Sequence, residues 1–477
     1  MGYNFRPVER DQQYLMPPSV REWLPPDHLA WFVLDVVDEL DLGPIRARYR
    51  ADGWGAAAFD PALMTALLLY AYATGERSSR RIETRCREDV AYRVICANQV
   101  PDHTTIARFR ADHEAALGEL FGDILRLCAR AGLGALGLVA VDGTKLAADV
   151  SEHRNRSADA LDAEIRSILA EAAAVDAAED AAHGPDRRGD ELPPELADRT
   201  SRLARLREAH RQLTEAAADR QRAYEAAVER RAEREATTGR PAGGRQPRAE
   251  AVRRRAWSER NTTDPDSRKM RGAGGWVQGY NGQVVVAEDG LILAGELTQQ
   301  AGDVDQLRPM VEAARANVRA AGFRRQSLGT ILADAGYWSE ANLAALEADG
   351  RTRLLVAPNP GRRRRPGSRA PARPGRERMR RRLARAPNAA RYRRRAAIVE
   401  PVFGQFKAIR HIRRFQRRGL RACASEWRFL CTTHNLLKLW RRGRASRPAG
   451  PPGQPRRRPQ LARRPQLTRR QRLRRQH

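Results

Sequence analysis

The sequence predicts an α/β protein: a mixed sheet flanked by helices, interrupted by a helical insertion and preceded by an all-helical N-terminal domain. Short apolar runs of strand length occur at 136–146 and after 276, whereas apolar residues at helical spacing fill residues 1–130. Residues 150–260 are rich in Ala, Glu and Arg and poor in β-branched residues. At roughly 100–200 residues per domain, the chain has room for two or three domains.

The N-terminal domain, residues 1–130, is predicted to contain only helices. The segment PDHTTIARFRADH opens a helix with Asp102 or Thr104 as its N-cap. A short helix, a turn and a helix with Thr105, Arg108 and Arg110 near its front resemble a helix-turn-helix that reads DNA. A plain helical bundle that dimerises is the alternative. The predicted helices are Pro26–Glu39, Pro61–Thr74, Ser79–Cys86, Asp89–Ala97 and Thr104–Arg130.

The predicted sheet domain comprises residues 136–149 and 261–440. The run LGLVAVDGTKL predicts a buried strand that ends in a turn at Asp142-Gly143. Two apolar runs within 276–298, separated by Glu288-Asp289-Gly290, predict a hairpin. Helices at 304–321 and 340–348 then alternate with strands at 331–334 and 354–357, which predicts later strands parallel to the first.

The remaining segments are predicted as follows. Residues 150–260 form a helical hairpin or short coiled coil inserted into the sheet domain. Residues 361–395, with 16 Arg, one acid and four prolines, form a disordered Arg-rich loop. Helices follow at 398–408 and 427–440, and the tail at 441–477, with 14 Arg and no acid, is a disordered basic tail.

The basic charge lies at one end of the chain. The formal net charge is +30, but residues 361–477 alone hold 39 Lys and Arg against three Glu. This one-sided field is typical of a protein that binds a polyanion such as nucleic acid. Genomic composition bias is the alternative; it explains the choice of Arg but not the missing acids.

Other protein classes are disfavoured. The longest apolar stretch, near 61–73, is shorter than the roughly 18 residues of a membrane span, and no apolar segment typical of an export signal follows the N-terminus. The five cysteines form no CxxC pair, which disfavours a zinc ribbon or a disulfide framework. We therefore expect a cytoplasmic protein without a membrane partner.

Three acidic residues are candidates for catalysis. Asp142 and Asp334 each end a predicted strand, and Glu400 lies at the start of an apolar helix. Sites in open sheets collect at the carboxyl ends of strands, so these acids can converge although they are distant in sequence. Clustered carboxylates suit Mg²⁺ or Mn²⁺, and two such ions can cleave a phosphodiester. Taken singly, each aspartate is better explained as an ordinary turn residue; their conjunction with Glu400 and the surrounding basic excess favours a site.

The motifs VDGTK, NTTDPDSRKM with WVQGYNGQVVV, LADAGYWSEAN and VEPVFGQFK resemble those of bacterial insertion-sequence transposases of the DDE type. The resemblance runs from about Pro17 to Trp440 and includes a helical N-terminal transposase domain. It implies an RNase H-like catalytic domain in which Asp142, Asp334 and Glu400 bind the metal ions.

That family also carries a Tyr-x2-Arg-x3-Glu-x6-Lys signature around its glutamate. Here Glu400 and Lys407 have the six-residue gap, and Tyr392 and Arg395 have the two-residue gap. Four residues rather than three separate Arg395 from Glu400, so the match is incomplete there. The resemblance implies that Lys407, Arg395 and Tyr392 contact DNA near the metal ions.

The expected function is metal-dependent cleavage and strand transfer at the ends of an insertion sequence. The implied partners are double-stranded DNA, as terminal inverted repeats and as target, and further copies of the chain in a dimer or larger synaptic complex. Two alternatives stay open: a non-catalytic or domesticated DNA-binding protein acting at the same termini, and a metal-dependent nuclease without strand transfer.

Overall fold

The computed structural model describes residues 19–50, 57–183, 194–239, 241–242, 246–247, 259–272, 274–350, 352–358 and 374–445. The chain divides into two compact units, with boundaries after Leu133 and after Arg428, and the residues beyond Arg428 belong with the N-terminal unit. No helix among the described residues is long and apolar enough to cross a membrane.

The N-terminal unit is helical, as predicted. Helix α3 is its centre, because every residue from Met64 to Ala73 is buried. Asp60 caps this helix by accepting a hydrogen bond from the backbone of Ala62, and Pro61 occupies the first position, where its missing N–H costs nothing. The helices are α1 (Leu29–Val37), α2 (Gly43–Arg46), α3 (Pro61–Ala73), α4 (Ser79–Glu88), α5 (Val90–Ile95), α6 (His103–Asp112) and α7 (Glu114–Arg130).

The predicted helix Thr104–Arg130 is two helices, so that prediction is wrong. Asp102 is the N-cap of α6, and its side chain accepts hydrogen bonds from the backbone N–H groups of Thr104 and Thr105. The chain leaves helical geometry at His113, which separates α6 from α7. The His113 ring is buried, with its centroid 4.6 Å from that of Phe109, so packing fixes the break.

The second unit contains the predicted mixed sheet. Its strands are ordered β4-β5-β1-β7-β8, and β6 pairs with β5. β7 and β8 run parallel to β1 and to each other, as predicted, while β5 is antiparallel to its three neighbours. The Asp-Gly hairpin also forms as predicted, between β5 and β6. The strands are β1 (Gly137–Ala147), β4 (Arg268–Gly272), β5 (Gly275–Ala287), β6 (Ile292–Thr298), β7 (Gly329–Ala333) and β8 (Arg353–Val356).

Strand β1 does not end at Asp142-Gly143, which corrects the sequence prediction. Its parallel pairing with β7 stops at Val141 opposite Ala333, but its antiparallel pairing with β5 continues to Ala147. The 13 residues of β5 supply backbone partners along the whole of β1. Asp142 therefore lies inside a strand, at the level where β7 ends.

Helices cover the sheet and complete the core of this unit. Helix α10 (Leu307–Ala320) packs on β5 and β6, α11 (Glu340–Glu347) packs on β8, and α13 (Ala386–Gly404) packs on β1. At the start of α14 (Leu420–Ala445), the fully buried Trp427 donates a hydrogen bond from Nε1 to the carbonyl of Gln283 at 3.2 Å. This bond ties the C-terminal helix to β5.

The insertion is the predicted helical hairpin. Helices α8 (Ala158–His183) and α9 (Pro194–Thr238) pack on each other around a small core of Leu161, Leu206, Ala209 and Leu213. Two short strands, β2 (Asn155–Ser157) and β3 (Glu259–Asn261), pair at its base. The hairpin thus returns the chain close to the point where it left the sheet domain.

The prediction of a disordered Arg-rich loop over 361–395 is wrong from residue 374 onward. Helix α12 (Pro374–Ala384) and the first half of α13 occupy this stretch, while 361–373 lie outside the described residues. Buried Met379 and an ion pair between Arg382 and Glu347 anchor α12, so the segment has local contacts despite its charge. Helix α14 continues to Ala445, and the rest of the predicted tail, 446–477, lies outside the described residues.

Candidate functional site

Two of the predicted acids, Asp142 and Asp334, lie side by side on the sheet. Val141 and Ala333 are paired on the parallel strands β1 and β7; Asp142 is the next residue of β1, and Asp334 directly follows the end of β7. Asp142 Oδ1 accepts a hydrogen bond from its neighbour Gly143 N at 2.8 Å, and Asp334 Oδ1 accepts one from Gly336 N at 2.8 Å. Asp142, inside β1, and Asp334, just beyond β7, are therefore neighbours at the level where the parallel pairing of the two strands stops.

Arg395 provides the positive charge at Asp142. Its Nη1 lies 2.9 Å from Asp142 Oδ2, and the two side chains are 23% and 21% exposed. Burial raises the pKa of Asp142, and repulsion from Asp334 and Asp303 adds to that increase; the Gly143 N–H and Arg395 oppose it. Asp142 is thus a partly buried carboxylate held between two like charges and one opposite charge.

A third aspartate, Asp303, belongs to this cluster, although sequence reasoning did not identify it. Its Oδ1 accepts hydrogen bonds from Asn281 Nδ2 at 2.7 Å, from Gln283 Nε2 at 2.8 Å and from Lys145 Nζ at 3.3 Å. Asn281 and Gln283 lie on β5 and are fully buried, and Lys145 lies on β1. Asp303 is therefore a fixed negative charge supported from two strands.

Two glycines make room for Asp303 beside the predicted pair. A β-carbon at Gly143 would lie 3.0 Å from Asp303 Oδ1. One at Gly336 would lie 3.0 Å from Asp334 Oδ1 and 3.5 Å from Asp303 Oδ2. Because Gly143 and Gly336 have no side chains, the carboxylates can approach each other. A polar stretch with two acids between β6 and α10 was the only sequence signal for Asp303.

Tyr337 lies beneath the aspartates. Its buried hydroxyl donates a hydrogen bond to Gln283 Oε1, whose amide group in turn donates to Asp303. Burial raises the pKa of Tyr337 strongly, and the charges of Asp303, Asp142 and Asp334 raise it further. The tyrosine therefore stays protonated and keeps the Gln283 amide oriented toward Asp303.

Glu400 lies on α13, the helix that packs on β1. Arg395 of this helix contacts Asp142, and Lys407, just beyond its end, directs Nζ toward the Lys145 carbonyl at 3.4 Å. Glu400 lies between them in sequence, and a π-helical turn, Gln405–Ile409, carries Lys407 after α13 ends. The Glu400 side chain is exposed. The helix therefore carries Glu400 along the part of β1 that contains Asp142.

The three predicted ligands do not form one closed group. Within the described ranges, no set of three His, Cys, Asp or Glu side chains is clustered tightly enough to hold a metal ion. The structure brings Asp142 and Asp334 together, with Arg395 on Asp142, and leaves Glu400 exposed on the adjacent helix. Tyr392, one turn before Arg395, is half-buried. Burial lowers the pKa of Lys407, and repulsion from Arg413 lowers it further.

The candidate DNA contacts of the N-terminal unit differ in availability. The Arg110 guanidinium donates to Tyr72 Oη at 3.0 Å, to the Arg77 carbonyl at 2.9 Å and to Ser79 Oγ at 3.0 Å. The Thr105 hydroxyl donates to the capping residue, Asp102, at 2.6 Å. Arg108 is exposed. Of the three, Arg108 has the side chain best placed to meet a ligand, and Arg110 joins the helices of its own unit.

Comparisons with known families agree with the two units. Residues 18–112 match the family model described as Transposase domain (DUF772), and residues 244–436 match the one described as Transposase DDE domain. The second match contains Asp303, Asp334 and Glu400 but begins after the two helices of the insertion, so Asp142 lies outside it. No curated protein and no solved structure matches the chain.

These matches confirm the predicted resemblance to DDE transposases of insertion sequences. They support a DNA transposase function for the chain.

Proposed function

We propose that this chain, which carries both transposase domains, cleaves phosphodiester bonds at the ends of an insertion sequence and transfers the strands to a target. The observation that carries the proposal is that Asp142 and Asp334 directly follow Val141 and Ala333, which are paired on adjacent parallel strands. It extends the site across the insertion, because the family match includes Asp334 and not Asp142.

The site's donor chemistry fits Mg²⁺ or Mn²⁺. Asp142, Asp334 and Glu400 offer only carboxylate oxygens, the hard ligands that these ions prefer. Such ions, when bound, would activate a water or 3′-hydroxyl and stabilise the leaving oxygen. The exposed Glu400, on the helix that packs on β1, would supply the third carboxylate. Asp303 is already engaged by Lys145 and two amides, so we assign it to positioning.

The basic residues around the site hold the DNA. Arg395 balances the charge of Asp142, and Lys407 lies beside the same strand, so both suit contacts with phosphates that approach the carboxylates. Tyr392 lies one turn before Arg395 on the same helix, and its hydroxyl suits a hydrogen bond to the same DNA backbone. Arg108 and Thr105 are the candidates for contacts with base edges at the terminal repeats.

The assembly follows from the reaction. Two ends of one element must be joined to one target, so we expect a homodimer or larger synaptic complex on double-stranded DNA. The Arg-rich C-terminal quarter supplies affinity independent of sequence. DNA in a bacterial cell lies in the cytoplasm, so the proposal places the protein at the nucleoid.

One observation favours a second candidate, a DNA-binding protein without catalysis. Arg395 forms an ion pair with Asp142, and Glu400 is exposed on a neighbouring helix. A domesticated copy that binds the termini would show this arrangement. A nuclease without strand transfer would share the carboxylates, so the products of the reaction must separate it from a transposase.

The test uses a duplex that carries the terminal repeats flanking this gene, with a labelled strand, in Mg²⁺ and in EDTA. The wild type should cut at the repeat end in Mg²⁺ and join the cut strand to a target duplex. Asp142→Asn and Asp334→Asn should bind the duplex and not cut it, whereas the exposed Asp305→Asn is the matched control and should cut normally. Cleavage by either of the first two variants would contradict the site, and cleavage without joined product would support the nuclease.

A further inference from the structure

A polar cavity lies at the end of the sheet opposite to Asp142 and Asp334. Its volume is 780 Å³, and its wall includes the first residues of β1, β7 and β8, namely 136–138, 329–330 and 352–353. These three strands are parallel, and Asp142 and Asp334 lie beyond Val141 and Ala333. From Gly137 to Asp142 the strand rises about 17 Å at roughly 3.3 Å per residue, so the cavity is a separate site.

Arginine dominates the lining of this cavity. The two glutamates each have an arginine partner: Glu288 pairs with Arg394, and Glu347 pairs with Arg382. The other three arginines have no ion pair within the parts of the chain that the structure describes. The charged residues of the lining are Glu288, Arg325, Glu347, Arg353, Arg382, Arg391 and Arg394.

The three remaining arginines come from three elements. Arg325 precedes β7, Arg353 is the first residue of β8, and Arg391 lies on α13. A β-carbon at Gly137 would lie 2.9 Å from Arg325 Nη1, so the guanidinium occupies the space above this glycine. The three guanidinium groups therefore reach one opening from different parts of the chain, and the lining as a whole has an excess of three positive charges.

We propose that this cavity binds the phosphate backbone of a DNA duplex. The inference rests on the proposed function for the identity of the polyanion. Guanidinium groups bind phosphate oxygens in a bidentate fashion and keep their charge at any working pH. The separation of about 17 Å from the aspartates corresponds to about five base pairs at 3.4 Å per step. The cavity therefore contacts phosphates other than those at the cleavage site.

The same helix connects the two sites. Arg391 and Arg394 of α13 line the cavity, and Arg395 contacts Asp142. Occupation of the cavity by phosphate therefore holds the helix that carries Glu400.

The experiment measures binding of a random-sequence duplex to the full chain in EDTA, by fluorescence anisotropy over a range of salt concentrations. In the triple variant Arg325→Ala, Arg353→Ala, Arg391→Ala, loss of three phosphate contacts should reduce the steepness of log K against log salt by about 2.7, at roughly 0.9 per contact. Glu288→Gln should act in the opposite direction and strengthen binding, because it releases Arg394 from its ion pair.

The matched control replaces three exposed arginines of the insertion, Arg207, Arg230 and Arg234, by alanine. It removes the same charge and should leave the slope less affected than the cavity variant. An unchanged slope in the cavity variant, or equal losses in both triple variants, would overturn the proposal.

Inorganic tripolyphosphate tests a small ligand at the same cavity. If the cavity variant loses tripolyphosphate binding and keeps the DNA slope, the duplex is not the occupant. The measurement involves no cleavage, so its failure is distinguishable from failure of the proposed catalysis.

Discussion

The ion pair between Arg395 and Asp142 makes a quantitative prediction. Arg395→Ala leaves a carboxylate that is 21% exposed beside two other aspartates. Removing one partner costs about 3–5 kcal/mol in a buried pair and about 0–1 kcal/mol in an exposed one. This pair lies between these limits, so we expect a loss of about 2 kcal/mol. At roughly 2–4 °C per kcal/mol for a domain of more than 150 residues, Tm should fall by about 4–8 °C.

The same variant should respond to pH and to metal. Burial already raises the pKa of Asp142, and loss of Arg395 raises it further, so the folded state favours the protonated form. The destabilisation is therefore present at neutral pH and shrinks as acidification protonates Asp142. If Asp142 is a ligand, Mg²⁺ should raise Tm more in the variant than in the wild type, because the ion no longer competes with Arg395 for the Asp142 carboxylate.

The assay is thermal unfolding in EDTA and in Mg²⁺ at two pH values. Arg393→Ala, an exposed arginine two residues earlier, is the control and should change stability by less than about 0.5 kcal/mol. Equal Tm values for Arg395→Ala and wild type in EDTA at neutral pH would refute the stabilising role of the pair. Equal Mg²⁺ responses would refute competition between Arg395 and the ion.

Three further predictions concern other parts of the chain. Arg108→Ala should reduce the preference for terminal-repeat over random duplex and keep the fold, which footprinting measures. Arg110→Ala should instead lower Tm in a melting experiment, because the three acceptors of the Arg110 guanidinium lose their donor. Truncation after Ala445 removes 11 Arg and should weaken the salt dependence of binding, and an unchanged slope would show that the tail stays off DNA. Burial raises the pKa of Asp264, so the wild type should gain stability relative to Asp264→Asn as pH falls toward the carboxyl's unfolded pKa; a pH-independent difference in Tm would contradict this.

Local signals in the sequence were enough to predict the sheet. The Asp289-Gly290 turn predicted the β5–β6 hairpin, and alternation of apolar runs with helical segments predicted the parallel strands. Asp334 could be predicted as a site residue because its strand ends at Ala333. The turn and the ends of the strands depend on neighbours in sequence, so local signals are enough to predict them.

Other features depend on distant partners and could not be predicted. Asp142 was expected in a turn, but β5 provides pairing that extends β1 past it. Asp303 lies in a polar stretch like many loops, and only the folded sheet brings Lys145 and the β5 amides to it. Helix α12 is rich in arginine, and its anchor, Glu347, lies in another helix.

The most direct test of the central claim is Mg²⁺-dependent cleavage of the terminal-repeat duplex by Glu400→Gln, because Glu400 is the proposed ligand that the structure leaves exposed on a helix. The exposed Glu377→Gln on α12 is the control. The account predicts that Glu400→Gln binds the duplex and cuts it no faster than Asp142→Asn, while Glu377→Gln cuts as the wild type does. Cleavage by Glu400→Gln at the wild-type rate would contradict a site built on these three carboxylates.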